Sequence, residues 1–319
     1  MNGLVKLSLL LVLVLVAVSA YLRLAHSGIG CPDWPGCYGH IGQPPAVTQT
    51  MDGQSAYQQL ASREYQPLAW ATPLHRLVAS TLGILVLVLA VVAFRQRHHR
   101  LITLLLVGLT LFLASIGLKS GSLHSPAVVM GNLSGGFAML GLLGWMLFSD
   151  QEGDPGPHRL FRIIGPIALL LLVSQILLGG FTSANFAATA CQTLPDCHGE
   201  WLPGPELGTA LDLSRQHQVN ELGFAVGGAE RPAIQITHRL GSALAFLALL
   251  AAGLLALKGG RVMRTTAVIL LVLLVLEFGV GVAAVLTKLP IGLAVAHNWL
   301  AALLLLSLLK LLALNRPEH

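Results

Sequence analysis

"ITHRLGSALAFLALLAAGLLALKGGR" (residues 236–261) joins three features that recur along the chain. A His–Arg pair opens the stretch, an apolar run follows, and a basic turn closes it. The apolar run, placed at 234–257, is long enough to cross the hydrocarbon core of a bilayer, which takes about 20 helical residues. Comparable runs occur at 4–22, 73–94, 101–118, 126–148, 162–182, 266–287 and 290–313.

The composition of the whole chain agrees with eight membrane spans. Of the 319 residues, 55% are hydrophobic and 10% are charged, which does not fit a soluble domain. Lipid offers the backbone no hydrogen-bond partner, so each span is expected to be an α-helix. We therefore predict an all-α membrane protein with eight transmembrane helices.

Basic residues in the short connections predict the orientation in the membrane. "RQRHHR" (95–100) and "KGGRVMR" (258–264) hold three cations each, and the positive-inside rule places them in the cytoplasm. Both termini then lie inside, and two long loops, 23–72 and 183–233, lie outside. This topology accounts for the net charge of +5, so we expect no nucleic-acid partner.

The first span has features of a secretory signal peptide, but we expect it to stay in the mature protein. Lys6, a Leu/Val core and "AVSA" (17–20) are signal-like. The apolar run is long for a signal peptide, however, and its removal would leave seven helices. No Arg- and Ser-rich transit peptide precedes the run, which favours a bacterial inner membrane.

The four cysteines all fall in the two long outer loops. Cys31 and Cys37 lie in the first loop, and Cys191 and Cys197 lie in the second, six positions apart in each pair. An oxidising compartment permits disulfides there. The matched spacing favours local pairing, although crossed pairing stays open. A zinc site or a redox-active pair is less favoured, because the spacing fits neither.

An internal repeat predicts two tandem four-helix bundles, residues 1–150 and 151–319. Landmarks recur in the same order at nearly equal spacing in the two halves. The first-half members are "CPDWPGC" (31–37), "PLHRLVAS" (73–80) and "SPAVVMGN" (125–132). Their second-half counterparts are "CQTLPDC" (191–197), "THRLGSA" (237–243) and "LPIGLAVAH" (289–297).

Three of the twelve histidines lie within spans: His75, His238 and His297. All three are in helices that run from outside to inside, one to two turns below the outer surface, and Asn132 takes the fourth equivalent position. An ionisable residue inside the membrane is a functional candidate. The pair His238 and His297 in one bundle suits a six-coordinate haem. Zinc is less favoured because no further ligand lies at that depth.

Other polar residues lie near these histidines. Arg76 and Arg239 directly follow two of them, where they can pair with haem propionates or extend to the interface. Glu277 lies midway along the seventh span, and Gln175 has a comparable place in the fifth. A functional carboxylate and a polar contact between helices are the two interpretations for Glu277.

Several of these motifs resemble the haem A synthase family. They are "YLRLAHSGIGCPDWPGCYG" (21–39), "HRL" (75–77), "ITHRLGSALA" (236–245) and "LAVAHN" (293–298). The resemblance covers nearly the whole chain. It implies oxidation of the C8 methyl group of haem O to a formyl group, which yields haem A for cytochrome oxidases.

The resemblance also implies roles for individual residues. A haem b cofactor would lie between His238 and His297, and the substrate haem would bind in the first half at His75. Asn132 stands where the family has a second histidine, and Thr72 stands where it has a glutamate. The family's outer cysteines, usually disulfide-bonded, match Cys31, Cys37, Cys191 and Cys197. Haem O synthase and oxidase assembly proteins are the implied partners, and a homo-oligomer is compatible with the sequence.

Both departures fall in the half expected to bind substrate, so two functions are considered. One is an active haem A synthase, with Glu64 or Glu277 as candidate carboxylates in place of Thr72. The other is a non-enzymatic haem carrier, electron-transfer subunit or oxidase assembly factor. A quinol-linked b-type cytochrome fits less well, because one complete histidine pair is present.

Overall fold

The computed structural model describes residues 1–24, 70–119, 125–153, 159–191, 193–202, 204, 206–212, 228–287 and 289–315. Within these residues there are eight long helices. They are α1 (Asn2–Leu24), α2 (Ala71–Gln96), α3 (Arg100–Lys119), α4 (Pro126–Phe148), α5 (Phe161–Ala184), α6 (Arg231–Ala256), α7 (Arg261–Leu286) and α8 (Ile291–Leu314). A short helix, Leu207–Ala210, lies between α5 and α6.

The eight predicted spans are confirmed, since all eight helices are long and apolar enough to cross a membrane. Helices begin and end within a few residues of the predicted positions. Prolines mark three of the starts: Pro126 and Pro232 lie in the first turns of α4 and α6, and Pro290 directly precedes α8. Proline suits a helix start because the amide it lacks would have no intrahelical partner.

The helices contact one another in two rings of four. In the first half α1 contacts α2 and α4, and α3 contacts the same two helices. In the second half α5 contacts α6 and α8, and α7 contacts the same two. Helices α2 and α4 therefore occupy opposite corners of one ring, and α6 and α8 occupy opposite corners of the other. Two tandem bundles would give this pattern. The division at residue 150 and the location of both termini in the cytoplasm stay predictions.

Helix α8 joins the two rings. Besides its ring neighbours it contacts α1 and α4, and α4 also contacts α5. Leu308 of α8, Leu140 of α4 and Val5 of α1 are buried in one apolar cluster with residues of both halves. Large apolar side chains on the outer faces, such as Leu170 and Val275, are exposed. Lipid would cover such faces in a membrane.

A polar contact lies where α2 turns into α3. The ring of His99, 10% exposed, lies with Nε2 2.8 Å from Oδ1 of Asp150, just after α4. The neighbouring His98 is 53% exposed, with Nε2 3.7 Å from the same oxygen. The sequence placed both histidines in a solvated connection, but His99 is largely buried because it ties this connection to the end of α4.

Candidate functional site

The ring of His238 is held by a side chain of the neighbouring helix. His238 lies seven residues after the start of α6, about 10 Å along the axis at 1.5 Å per residue. Nε2 of Gln175 on α5 is 3.0 Å from Nδ1 of His238 and 3.1 Å from its backbone oxygen. Oε1 of the same amide is buried without a hydrogen-bond partner in the described chain. Gln175 thus makes a polar contact between α5 and α6.

His297 has a matching neighbour in the other helix pair. It lies six residues after the start of α8, and its Nδ1 is 3.2 Å from Oε1 of Glu277 on α7. The carboxylate lies off the axis of the ring N–H, so the two atoms pair closely without an aligned hydrogen bond. Oε2 of Glu277 is buried, and it accepts no hydrogen bond from the described residues.

Each ring also lies against a glycine one turn beyond its polar neighbour. A Cβ on Gly179 would lie 3.3 Å from Cε1 of His238, and one on Gly281 would lie 3.1 Å from Cε1 of His297. Both distances are tighter than ordinary carbon contacts, so the missing side chains make room for the rings. These glycines were not among the residues predicted from the sequence, although each follows Gln175 or Glu277 by four positions, one helical turn.

The Nε2 atoms are the nitrogens left for a ligand. Nδ1 of His238 faces Gln175, and Nδ1 of His297 is buried beside Glu277. The side chain of His297 is nevertheless 35% exposed, so its exposed part lies away from the buried Nδ1. The two imidazoles project from helices at opposite corners of the second ring, an arrangement that fits a planar group with one ligand on each face.

A haem fits this donor set better than a bare metal ion does. Two imidazoles can complete the coordination of a haem iron, whereas structural zinc takes four protein ligands. Among the described residues, the one cluster of three metal-ligating side chains is His98, His99 and Asp150, which involves neither His238 nor His297.

Around His75, in the first half, fewer of the described side chains can bind iron or accept a proton than around His238 and His297 in the second half. Nδ1 of His75 is buried and has no hydrogen-bond partner in the described part of the chain. Thr72, one turn earlier, is 7% exposed, and Arg76 is half-buried. Asn132 is half-buried on α4, at the opposite corner of this ring. Among the described residues near Thr72 and Asn132, the structure thus provides one imidazole, that of His75.

A disulfide closes the loop beyond α5. Cys191 pairs with Cys197, which confirms local pairing in the second half. Cys197 and Glu200 exchange backbone hydrogen bonds of 2.9 and 3.0 Å around a two-residue turn. Both turn residues have positive φ, 53° at His198 and 93° at Gly199, as a type I′ turn requires. Cys31, Cys37 and Glu64 of the first outer loop lie outside the described residues.

Arg239 fastens this loop to α6. Its Nη1 donates to the backbone oxygens of Thr193 at 2.8 Å, Pro195 at 3.3 Å and Asp196, and its Nη2 donates to that of Cys191 at 2.9 Å. The guanidinium is therefore engaged by carbonyls of the disulfide loop. A contact with a haem propionate, suggested from the sequence, stays a prediction.

We expect the Arg239→Leu variant to loosen the disulfide loop. Four carbonyls would lose a charged donor, and hydrogen bonds to charged groups contribute about 1.5–3 kcal/mol each. Backbone amides of residues 193–200 should exchange with deuterium at least about tenfold faster. Arg239→Lys should fall between, because an ammonium cannot serve so many carbonyls at once. Exchange equal to that of the unmodified chain in both variants would contradict this role of Arg239.

Comparisons with known proteins agree with one another. A family model described as COX15-CtaA, cytochrome oxidase assembly protein, matches residues 3–309. A Shewanella oneidensis protein named heme A synthase is 35% identical over 98% of this chain and 95% of its own length. Proteins of the same name from Neorickettsia sennetsu and Bacillus licheniformis are each 25% identical. They cover 93% of this chain and 93% and 90% of their own lengths, respectively.

Proposed function

Because the chain belongs to the COX15–CtaA family of cytochrome oxidase assembly proteins, we propose that it oxidises the C8 methyl group of haem O to a formyl group. Its role is haem A biosynthesis for cytochrome oxidase.

The observation that carries the proposal is the pair of imidazoles in the second ring, each of which contacts a polar side chain of the neighbouring helix. His238 and His297 lie on opposite corners with Nδ1 turned to the protein. We assign them as the axial ligands of haem b. When bound, that haem supplies a one-electron carrier next to the substrate half. The chain's own contribution is to orient both rings and to exclude lipid from between them.

The substrate haem O is assigned to the first ring, with His75 as its one strong axial ligand. Nδ1 of His75 has no acceptor in the described chain, so His75 is a less basic ligand than one with a hydrogen-bonded Nδ1. A weaker ligand suits a group that must leave after reaction. Arg76, beside His75, is the candidate partner of a substrate propionate.

The reaction requires a group that accepts protons from the methyl group, but no carboxylate lies at the expected position. Thr72 lies one turn before His75, and its hydroxyl is a far poorer proton acceptor than a glutamate carboxylate. Glu277 lies beside His297 in the second ring, which supports its assignment to the cofactor half rather than to the substrate site. Glu64, in the first outer loop, stays a candidate from the sequence alone.

The same two substitutions favour a second function. Thr72 and Asn132 remove a base and a ligand from the substrate half, while the second half keeps its imidazole pair. A haem-binding relative that carries haem, transfers electrons or assists oxidase assembly needs only the second half. In either case we expect the chain in a bacterial inner membrane with the haem sites toward the outer side. Haem O synthase, oxidase assembly proteins and a second copy of the chain are the proposed partners.

Co-expression with a haem O synthase tests the reaction. Haems extracted from membranes should include haem A when both proteins are present, and haem O alone when this chain is omitted. A chain with His75→Ala serves as the control for the substrate site and should restore the haem O pattern. Haem O with neither haem A nor a hydroxymethyl intermediate would contradict the enzymatic proposal and favour the haem-binding alternative.

A further inference from the structure

The two helix pairs of the second ring share one local pattern. Gln175 lies nine residues before the end of α5, and Glu277 lies nine residues before the end of α7. Each has a glycine four positions later that makes room for an imidazole of the next helix. The two helix pairs differ in the polar group that faces the imidazole. In the α5–α6 pair it is the amide of Gln175, and in the α7–α8 pair it is the carboxylate of Glu277.

From this difference we propose that Gln175 and Glu277 are positioning residues that make His297 the stronger ligand and His238 the adaptable ligand. The inference rests on the proposed haem b site. It concerns which ring nitrogen is free for iron, and how strongly each ring donates to it.

A carboxylate leaves His297 one choice of tautomer. A carboxylate has acceptors and no donor. With Oε1 of Glu277 3.2 Å from Nδ1 of His297, such a neighbour would select the ring form with its proton on Nδ1. The lone pair of Nε2 is then free for iron. A carboxylate that accepts from Nδ1–H also raises the basicity of the ring. The off-axis placement of Oε1, 3.2 Å from Nδ1, leaves room for this contact to tighten when Nε2 is ligated.

The amide of Gln175 is compatible with either tautomer of His238, because an amide has both a donor and an acceptor. In the structure Nε2 of Gln175 donates to the backbone oxygen of His238 and lies 3.0 Å from Nδ1, an arrangement that suits a ring protonated on Nε2. Ligation of iron through Nε2 requires the other tautomer, whose Nδ1–H needs an acceptor. The buried, unpartnered Oε1 of Gln175 supplies it after a half-turn of the amide. That turn gives up the bond to the backbone oxygen, so ligation by His238 carries a cost that His297 does not have.

The midpoint reduction potential of the bound haem tests the inference. A carboxylate-held imidazole stabilises the ferric state, so Glu277→Gln should raise the equilibrium constant for reduction by about tenfold, or 59 mV for one electron. Gln175→Glu should shift it in the opposite direction. The double variant, with amide and carboxylate exchanged, should return close to the starting potential because one ring is again carboxylate-held.

Matched controls lie one position away on the exposed side of each helix. Ser174→Ala and Leu276→Ala change residues that face outward, and both should leave the potential and the low-spin spectrum unchanged. A Glu277→Gln protein that retains its haem at the original potential would overturn the inference, and so would a double variant that fails to recover. Unmodified protein purified without a low-spin b haem would instead contradict the proposed function, so the two failures are distinguishable.

Discussion

Replacement of His297 by alanine is expected to reduce the haem b content of the purified protein by at least about tenfold. Loss of a residue that only supports a metal ligand already costs roughly 10–100-fold in affinity, and loss of the ligand itself should cost no less. His238→Ala should have an effect of the same kind. Optical spectra of protein purified in detergent, normalised to protein concentration, measure the loss.

His98→Ala is the matched control for this experiment. His98 is 53% exposed beside the α2–α3 connection, far along the chain from the second ring, and its loss should leave haem b content unchanged. A His297→Ala protein with an unaltered low-spin spectrum would show that this residue is not an axial ligand. Residual high-spin haem would agree with one ligand lost and one retained.

The second large effect is expected from giving Thr72 and Asn132 the glutamate and histidine that the family resemblance implies at these positions. Thr72→Glu and Asn132→His together should raise haem A formation by at least about tenfold over the unmodified chain. A positioned general base typically contributes about 10²–10⁴-fold, and the new imidazole adds a ligand opposite His75. Extracted haems from cells that co-express a haem O synthase give the measurement.

Isosteric amides provide the controls for that variant. Thr72→Gln matches glutamate in size without its basicity, and Asn132→Gln keeps an amide at the second position. Neither should increase the yield of haem A. Because Thr72 is buried, membrane levels of each variant must be compared as well. Equal or lower yield from a well-expressed double variant would contradict the prediction that these two residues limit haem A formation.

The membrane spans were predictable from sequence because their signal is local. About 20 consecutive apolar residues must form a helix in lipid whatever surrounds them, and prolines such as Pro126 mark where some helices begin. The disulfide was predictable only in part. The spacing favoured Cys191 with Cys197, but crossed pairing depends on how the two outer loops approach each other.

The contacts of the imidazoles were not predictable, because they depend on how each helix is rotated about its axis. The sequence placed Gln175 and Glu277 at mid-helix, but nothing local assigns Gln175 to His238 and Glu277 to His297. Packing of whole helix faces sets that rotation. The same holds for Arg239, which reads as an interfacial cation in the sequence and binds four loop carbonyls in the fold.

The position of helix α8 in the chain affects the order in which the protein is assembled. The ribosome makes α8 after α1, α4, α5 and α7, the four helices that it contacts. Until it inserts, the first ring lacks its contacts with α8, and the second ring consists of three helices. Of the two imidazoles, only that of His238 is then present. If His238 and His297 bind haem b as proposed, haem can be held between them only after α8 has been translated, which makes cofactor loading a late step in biogenesis.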